Sequence, residues 1–110
     1  MFIVLCNCPP DDALRIARTL VDGQYAACVN LIPGVTSIYS WAGEVCEDTE
    51  TTLLIKTSRQ RMSALRQKIL EIHPYSVPEI IASPIEGAAS HAPYVKWVKE
   101  MTTPPSATPS

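Results

Sequence analysis

The side chains able to do chemistry are few. Thiols come from Cys6, Cys8, Cys28 and Cys46, at spacings of 2, 20 and 18 residues, and imidazole from His73 and His91 alone. Those spacings lack the paired C-x-x-C pattern that closes a structural zinc site. Cys28 can serve as a soft metal ligand or simply pack in a core, and Cys46 fits no motif, so reaction with oxidants is all it invites. His91 lies in a Gly/Ala/Ser-rich stretch and reads as a solvent-facing residue. Glu44, Glu47, Asp48 and Glu50 form an acidic run that could draw hard cations, although such a run is usually a solvated face. Lys56 and Glu79 are charges inside otherwise apolar stretches, where a partner or a pocket is needed, and an intersubunit cleft is the expected place for both. No G-x-x-x-x-G-K, G-x-G-x-x-G, G-x-S-x-G or H-E-x-x-H occurs. A catalytic pair of Cys6 and His73 would lack both an oxyanion hole and an orienting third group, so the expectation is that the protein is not an enzyme.

Composition narrows the partners. A chain of 110 residues suits one domain with one core, and 46% hydrophobic against 18% charged residues is too apolar for disorder. A net charge of −2 offers no electrostatic case for nucleic acid or an anionic membrane. The apolar start, Met1 to Cys6, has no basic flank and is cut short by Pro9-Pro10, and no stretch approaches the ~20 apolar residues of a membrane span. The expected setting is cytoplasmic, with reduced thiols.

The elements that must position these residues follow from periodicity. Phe2 to Cys6 is a short apolar run suited to a central, buried strand. A helix follows, with Ala13, Leu14, Ala17, Leu20 and Val21 at helical spacing, acidic residues at its start and Gly23 at its stop. Ala26 to Thr57 reads as one long hairpin, bulged at Pro33-Gly34 and turning at Ala42-Gly43. Each arm of roughly 14 residues could span about 45 Å, whereas a compact chain of this size is roughly 35 Å across. The hairpin must overhang, and its outer half carries Val35, Ile38, Tyr39, Trp41 and Val45, which a second copy of the chain would cover most economically.

Ser58 is placed to cap a second helix whose buried stripe is Met62, Leu65, Ile69 and Ile72, ending at His73-Pro74. Val77 to Ser83 then forms an edge strand between prolines, and residues 88 to 101 a last helix. Residues 1 to 101 are the domain, and 102 to 110, TTPPSATPS, a disordered tail. The order strand, helix, strand, strand, helix, strand is an α+β, ferredoxin-like βαββαβ antiparallel sheet with a long β-hairpin and a C-terminal helix. One sheet face has nothing in the chain to cover it, a second reason to expect an oligomer.

In order and spacing, AACVNLIPGVTSIYSWAGEV, LLIKT, HPYSVPEII and YVKWV resemble the divalent-cation tolerance protein CutA family. The resemblance implies a PII-like homotrimer of ferredoxin-like protomers whose hairpins pair with neighbouring subunits, and a role in tolerance of divalent metals, chiefly copper. Carried over by position, it implies Cys6 and His73 as copper ligands, with Ile72 standing where some members have a second histidine. Thiolate suits Cu(I) and imidazole both copper states, and Cys8 or Cys28 are candidate additional ligands. The plainer readings are a cysteine packed as a small hydrophobe for Cys6 and a helix C-terminal cation for His73. The alternative function is a non-catalytic PII-like signalling or scaffold trimer binding a small molecule or protein in its intersubunit clefts.

Overall fold

The computed structural model describes residues 1–104. It consists of β1 (Phe2–Cys8), α1 (Pro10–Asp22), β2 (Cys28–Trp41), β3 (Glu44–Thr57), α2 (Met62–Ile72), β4 (Ile81–Pro84), a 3₁₀ turn (Gly87–Ala89) and α3 (Ala92–Met101). The sheet runs β2-β3-β1-β4, and every paired neighbour is antiparallel. That is the expected α+β, ferredoxin-like order. β1 is central and β4 an edge, as the flanking prolines suggest.

Alternation along the strands sorts the sheet into two faces. Val4, Cys6, Cys8, Leu53, Ile55 and Thr57 point to the helices and are all fully buried. They meet Ile16 and Leu20 of α1 and Leu65 and Ile69 of α2 in one core. On the other face Leu5, Ile32 and Ile81 remain 37%, 46% and 56% exposed. β1 is therefore central but buried on one side only, because a single chain has no layer for its second face.

The hairpin carries 14 residues in each arm, the span expected from the sequence. Its turn places Ala42 at φ 52° and Gly43 at φ 80°, the paired positive values of a type I′ turn, whose twist matches that of the strands. The register slips between Ile32 and Val35, where Gly34 takes φ 73° and Pro33 has no N–H to offer the ladder. The molecule measures 53 × 35 × 22 Å with a radius of gyration of 15.2 Å, against about 13 Å for a compact chain of this length. The overhang is apolar, with Ile38 68%, Trp41 62% and Val45 79% exposed.

Several local expectations need correction. Leu14 and Val21 face solvent, and Ile16 takes the buried place in the α1 stripe. α1 ends on Gly23, but the left-handed residue is Gln24 at φ 60°. Gly23 is required for space instead, since a Cβ there would stand 2.5 Å from the ring of Tyr25. Ser58 does not cap α2, which begins at Met62 with Arg61 before it. Its hydroxyl is buried and hydrogen-bonded to Thr102 Oγ1 at 2.8 Å. Thr102 itself was assigned to the tail, yet it is 2% exposed and closes the last turn of α3 through the Val98 carbonyl. Residues 105 to 110 of the expected tail lie outside the described residues. β4 covers Ile81–Pro84 rather than Val77 to Ser83, because Val77 to Ile80 leave the ladder and Pro78 cannot donate to one.

Candidate functional site

Cys6 and Cys8 sit two residues apart on β1, so both thiols turn into the core, where neither has measurable exposure. Burial pushes the Cys6 thiol from 9.0 up to about 12, and negative charge at Cys8, Glu79 and Glu50 adds to the rise. Cys8 goes from 9.0 to about 11, again chiefly by burial, with Asp12 and Glu50 adding and Arg15 opposing. Each behaves as a protonated, packed group. Weak S–H contacts run to the Asn7 carbonyl from Cys6 and to the Thr51 carbonyl from Cys8.

His73 follows the end of α2 and is 7% exposed. Its Nε2 lies 2.8 Å from the Asn7 carbonyl, and Nδ1 accepts from the Tyr75 N–H at 3.0 Å. A carbonyl only accepts and a backbone N–H only donates, so the ring is the Nε2–H tautomer with both nitrogens engaged. Cys6 and His73 thus converge on Asn7, as the sequence comparison with the family implied they might. Neither presents a free lone pair there, and Ile72 beside His73 packs against the core. Among the described residues no three His, Cys, Asp or Glu side chains are grouped closely enough to hold a metal ion.

Cys28 lies apart from this pair. It is half-buried opposite Lys56, whose Nζ approaches its sulfur to 3.8 Å and also bonds the Asn30 side chain. Lys56 and Glu79 are not neighbours within one chain: Lys56 belongs with Cys28 and Asn30, whereas Glu79 lines a groove elsewhere. Cys46 is half-buried across from Tyr39 near the hairpin tip. His91 is exposed just before α3.

That groove, of ≈ 500 Å³, is the larger of the two described. Tyr39 and Trp41 of β2 form one wall, and Tyr75, Val77 and Glu79 between α2 and β4 form another. Asn7 and Glu50 lie between them. Glu50 corrects the reading of the acidic run: Glu44, Glu47 and Asp48 are exposed, but Glu50 is only 6% exposed. Tyr75 donates its hydroxyl to Glu50 Oε2 at 2.9 Å. Burial first, then that hydrogen bond, raise the Tyr75 phenol well above its ordinary range. Tyr39 donates to Asp48, and this bond pushes its phenol up to about 12. The signal that could have singled out Glu50 was its parity with Thr52, Leu54 and Lys56, which puts it on the sheet face rather than in solvent.

Residues 2–101 match the family model described as CutA1 divalent ion tolerance protein. The divalent-cation tolerance protein CutA of Thermus thermophilus is 46% identical over 101 residues, covering 91% of this chain and 96% of that protein. The human protein CutA is 45% identical over 97 residues, covering 87% of this chain but only 53% of the longer human protein. Among solved structures, the PII-like protein CutA from a Nostoc species superposes with a TM-score of 0.91 at 47% identity, covering 96% of this chain and 100% of that one.

Proposed function

This chain belongs to the CutA1 divalent ion tolerance family, and from that premise we propose that it acts as a non-catalytic homotrimer of PII-like protomers that takes up divalent metal, copper foremost, in the response to metal ions. The assembly reading is supported by the uncovered sheet face and by the apolar hairpin, whose Ile38, Trp41 and Val45 stand in solvent in a single chain. The observation that carries the metal reading is narrower: a thiol and an imidazole, soft and borderline ligands suited to copper, meet at Asn7.

Their chemistry bears on affinity. A metal at Cys6 must displace a thiol proton held up to about 12, and one at His73 must displace a hydrogen bond on either ring nitrogen. Such residues do not make a preformed cofactor site. They suit capture of excess metal at high concentration, with the ion as cargo. All four cysteines are free thiols, which fits the cytoplasmic setting proposed here. Titration of the purified protein with copper, alongside Cys6→Ser and His73→Ala, tests the reading. Binding weakened in both variants supports it, and unchanged binding in both removes these residues from the site.

A second reading has its own observation in the ≈ 500 Å³ groove: a PII-like signalling trimer that binds a small molecule in a cleft. A ligand that raises the melting temperature where metals do not would favour it.

A further inference from the structure

The groove holds an electrostatic mismatch. Glu50 is a carboxylate 94% removed from solvent by its 6% exposure, and its one strong partner is the neutral hydroxyl of Tyr75. A carboxylate offers about four acceptor positions, and a buried one is normally matched by a cation. The ion pairs among the described residues are Arg15 with Asp12, Lys68 with Glu71 and Lys96 with Glu100, none of them in the groove. A second carboxyl, Glu79, lines the same space, and no Lys, Arg or His does. The site therefore has negative charge, no basic side chain and an unfilled volume.

The walls decide which kind of cation fits. A hard metal ion wants three or more oxygen or nitrogen ligands converging on a point, and no such cluster exists among the described residues. Tyr39, Trp41 and Tyr75 instead supply aromatic surface, with Val77 adding apolar contact. Aromatic faces beside a carboxylate are the arrangement that recognises an organic ammonium, by cation–π attraction and a charge-assisted hydrogen bond. We propose that the groove between β2 and the α2–β4 connection is a binding site for a small organic cation, an amine carried on an apolar body, with Glu50 and Glu79 as its anionic partners and Tyr39, Trp41 and Tyr75 as its aromatic walls. This rests on the cleft-binding reading above and names the ligand class.

The test uses the full chain in a Trp97→Phe background, which leaves Trp41 as the single tryptophan. Its fluorescence is titrated with benzylamine, benzyl alcohol and benzoate, which share one ring and differ in charge. The expected result is saturable binding of benzylamine at least tenfold tighter than the alcohol or the acid. Glu50→Gln, which keeps an acceptor for Tyr75 and so preserves the groove, should weaken benzylamine roughly tenfold or more. Tyr39→Leu should weaken it several-fold. Equal binding of amine and alcohol, or an unaffected Glu50→Gln, overturns the cation while leaving a small-molecule cleft in place. Silence toward all three compounds overturns the cation and removes the support for the cleft together.

Discussion

His73 Nε2 donates to the backbone carbonyl of Asn7 at 2.8 Å, across 66 positions of sequence. The bond ties the residue after α2 to the far end of β1, and the other ring nitrogen holds the Tyr75 N–H, which orients the chain into the groove. Replacing His73 with Ala leaves a buried N–H and a carbonyl without partners. The variant should lose about 1–3 kcal/mol of stability, measurable by urea unfolding, and should also disturb Tyr75. A His73→Ala protein as stable as the parent would show that these bonds carry little.

The buried thiols make stability fall in alkali. Cys6 keeps its proton in the fold up to about 12, whereas in the unfolded chain it ionises near 9.0. Between those values the unfolded state binds fewer protons, so stability decreases as pH rises, by about 1.4 kcal/mol per pH unit for one thiol. It is fully present below about pH 9. Cys6→Ala should have a lower baseline but a flatter decline between pH 9 and 11, as read by thermal melts across that range. An identical slope in both proteins would place the alkaline loss elsewhere, for example on Tyr75.

Accessibility divides the four cysteines into two pairs. Cys6 and Cys8 are fully buried and hold their protons, while Cys28 and Cys46 are half-buried. Brief alkylation of the native protein near neutral pH should label Cys28 and Cys46 first, with all four labelled after unfolding. Mass spectrometry of the peptides reads the order directly, and early labelling of Cys6 would contradict its burial.

Thr102 gives the end of the domain a test of its own. Its hydroxyl bridges Ser58 and the Val98 carbonyl at 2.8 Å each. Thr102→Val should cost about 1 kcal/mol, and the double variant with Ser58→Ala should cost less than the sum of the singles. Strict additivity would mean that the two hydroxyls do not interact.

Light scattering addresses the proposed assembly. The expected mass is about three times 12.0 kDa, and Ile38→Asp with Val45→Asp should lower it while leaving the core intact, because both positions face solvent in the single chain. A monomeric parent would refute the covered-hairpin argument.

Much of this fold could be read from the residues because its signals are local. The hairpin announced itself through alternation along both arms and through Ala42-Gly43, and the helices through their apolar spacing. What escaped was decided by contacts distant in sequence. Ser58 looked like a cap because nothing near it revealed Thr102, 44 residues on. Val77 to Ile80 looked like strand because an apolar run has the same composition whether it joins a ladder or walls a groove. At the site, Cys6 and His73 were placed together by family resemblance, but Asn7, the group they share, could be found only in three dimensions. Glu50 was hidden by its neighbours, since three exposed acidic residues disguised one that Tyr75 had taken out of water.

The bulge at Pro33-Gly34 has a mechanical consequence. From Val35 to Trp41 the outer arm forms a lever roughly 20 Å long, pivoting where the ladder is interrupted. A change of bend of about 10° at that pivot would carry the tip some 3–4 Å, at roughly 3.3 Å per residue of arm. Tyr39 and Trp41 ride on the moving end, while Tyr75 and Glu79 stay with the body of the domain. The groove is thus a jaw with one hinged side, and whatever fills it sets the angle at which the hairpin is offered to its neighbour.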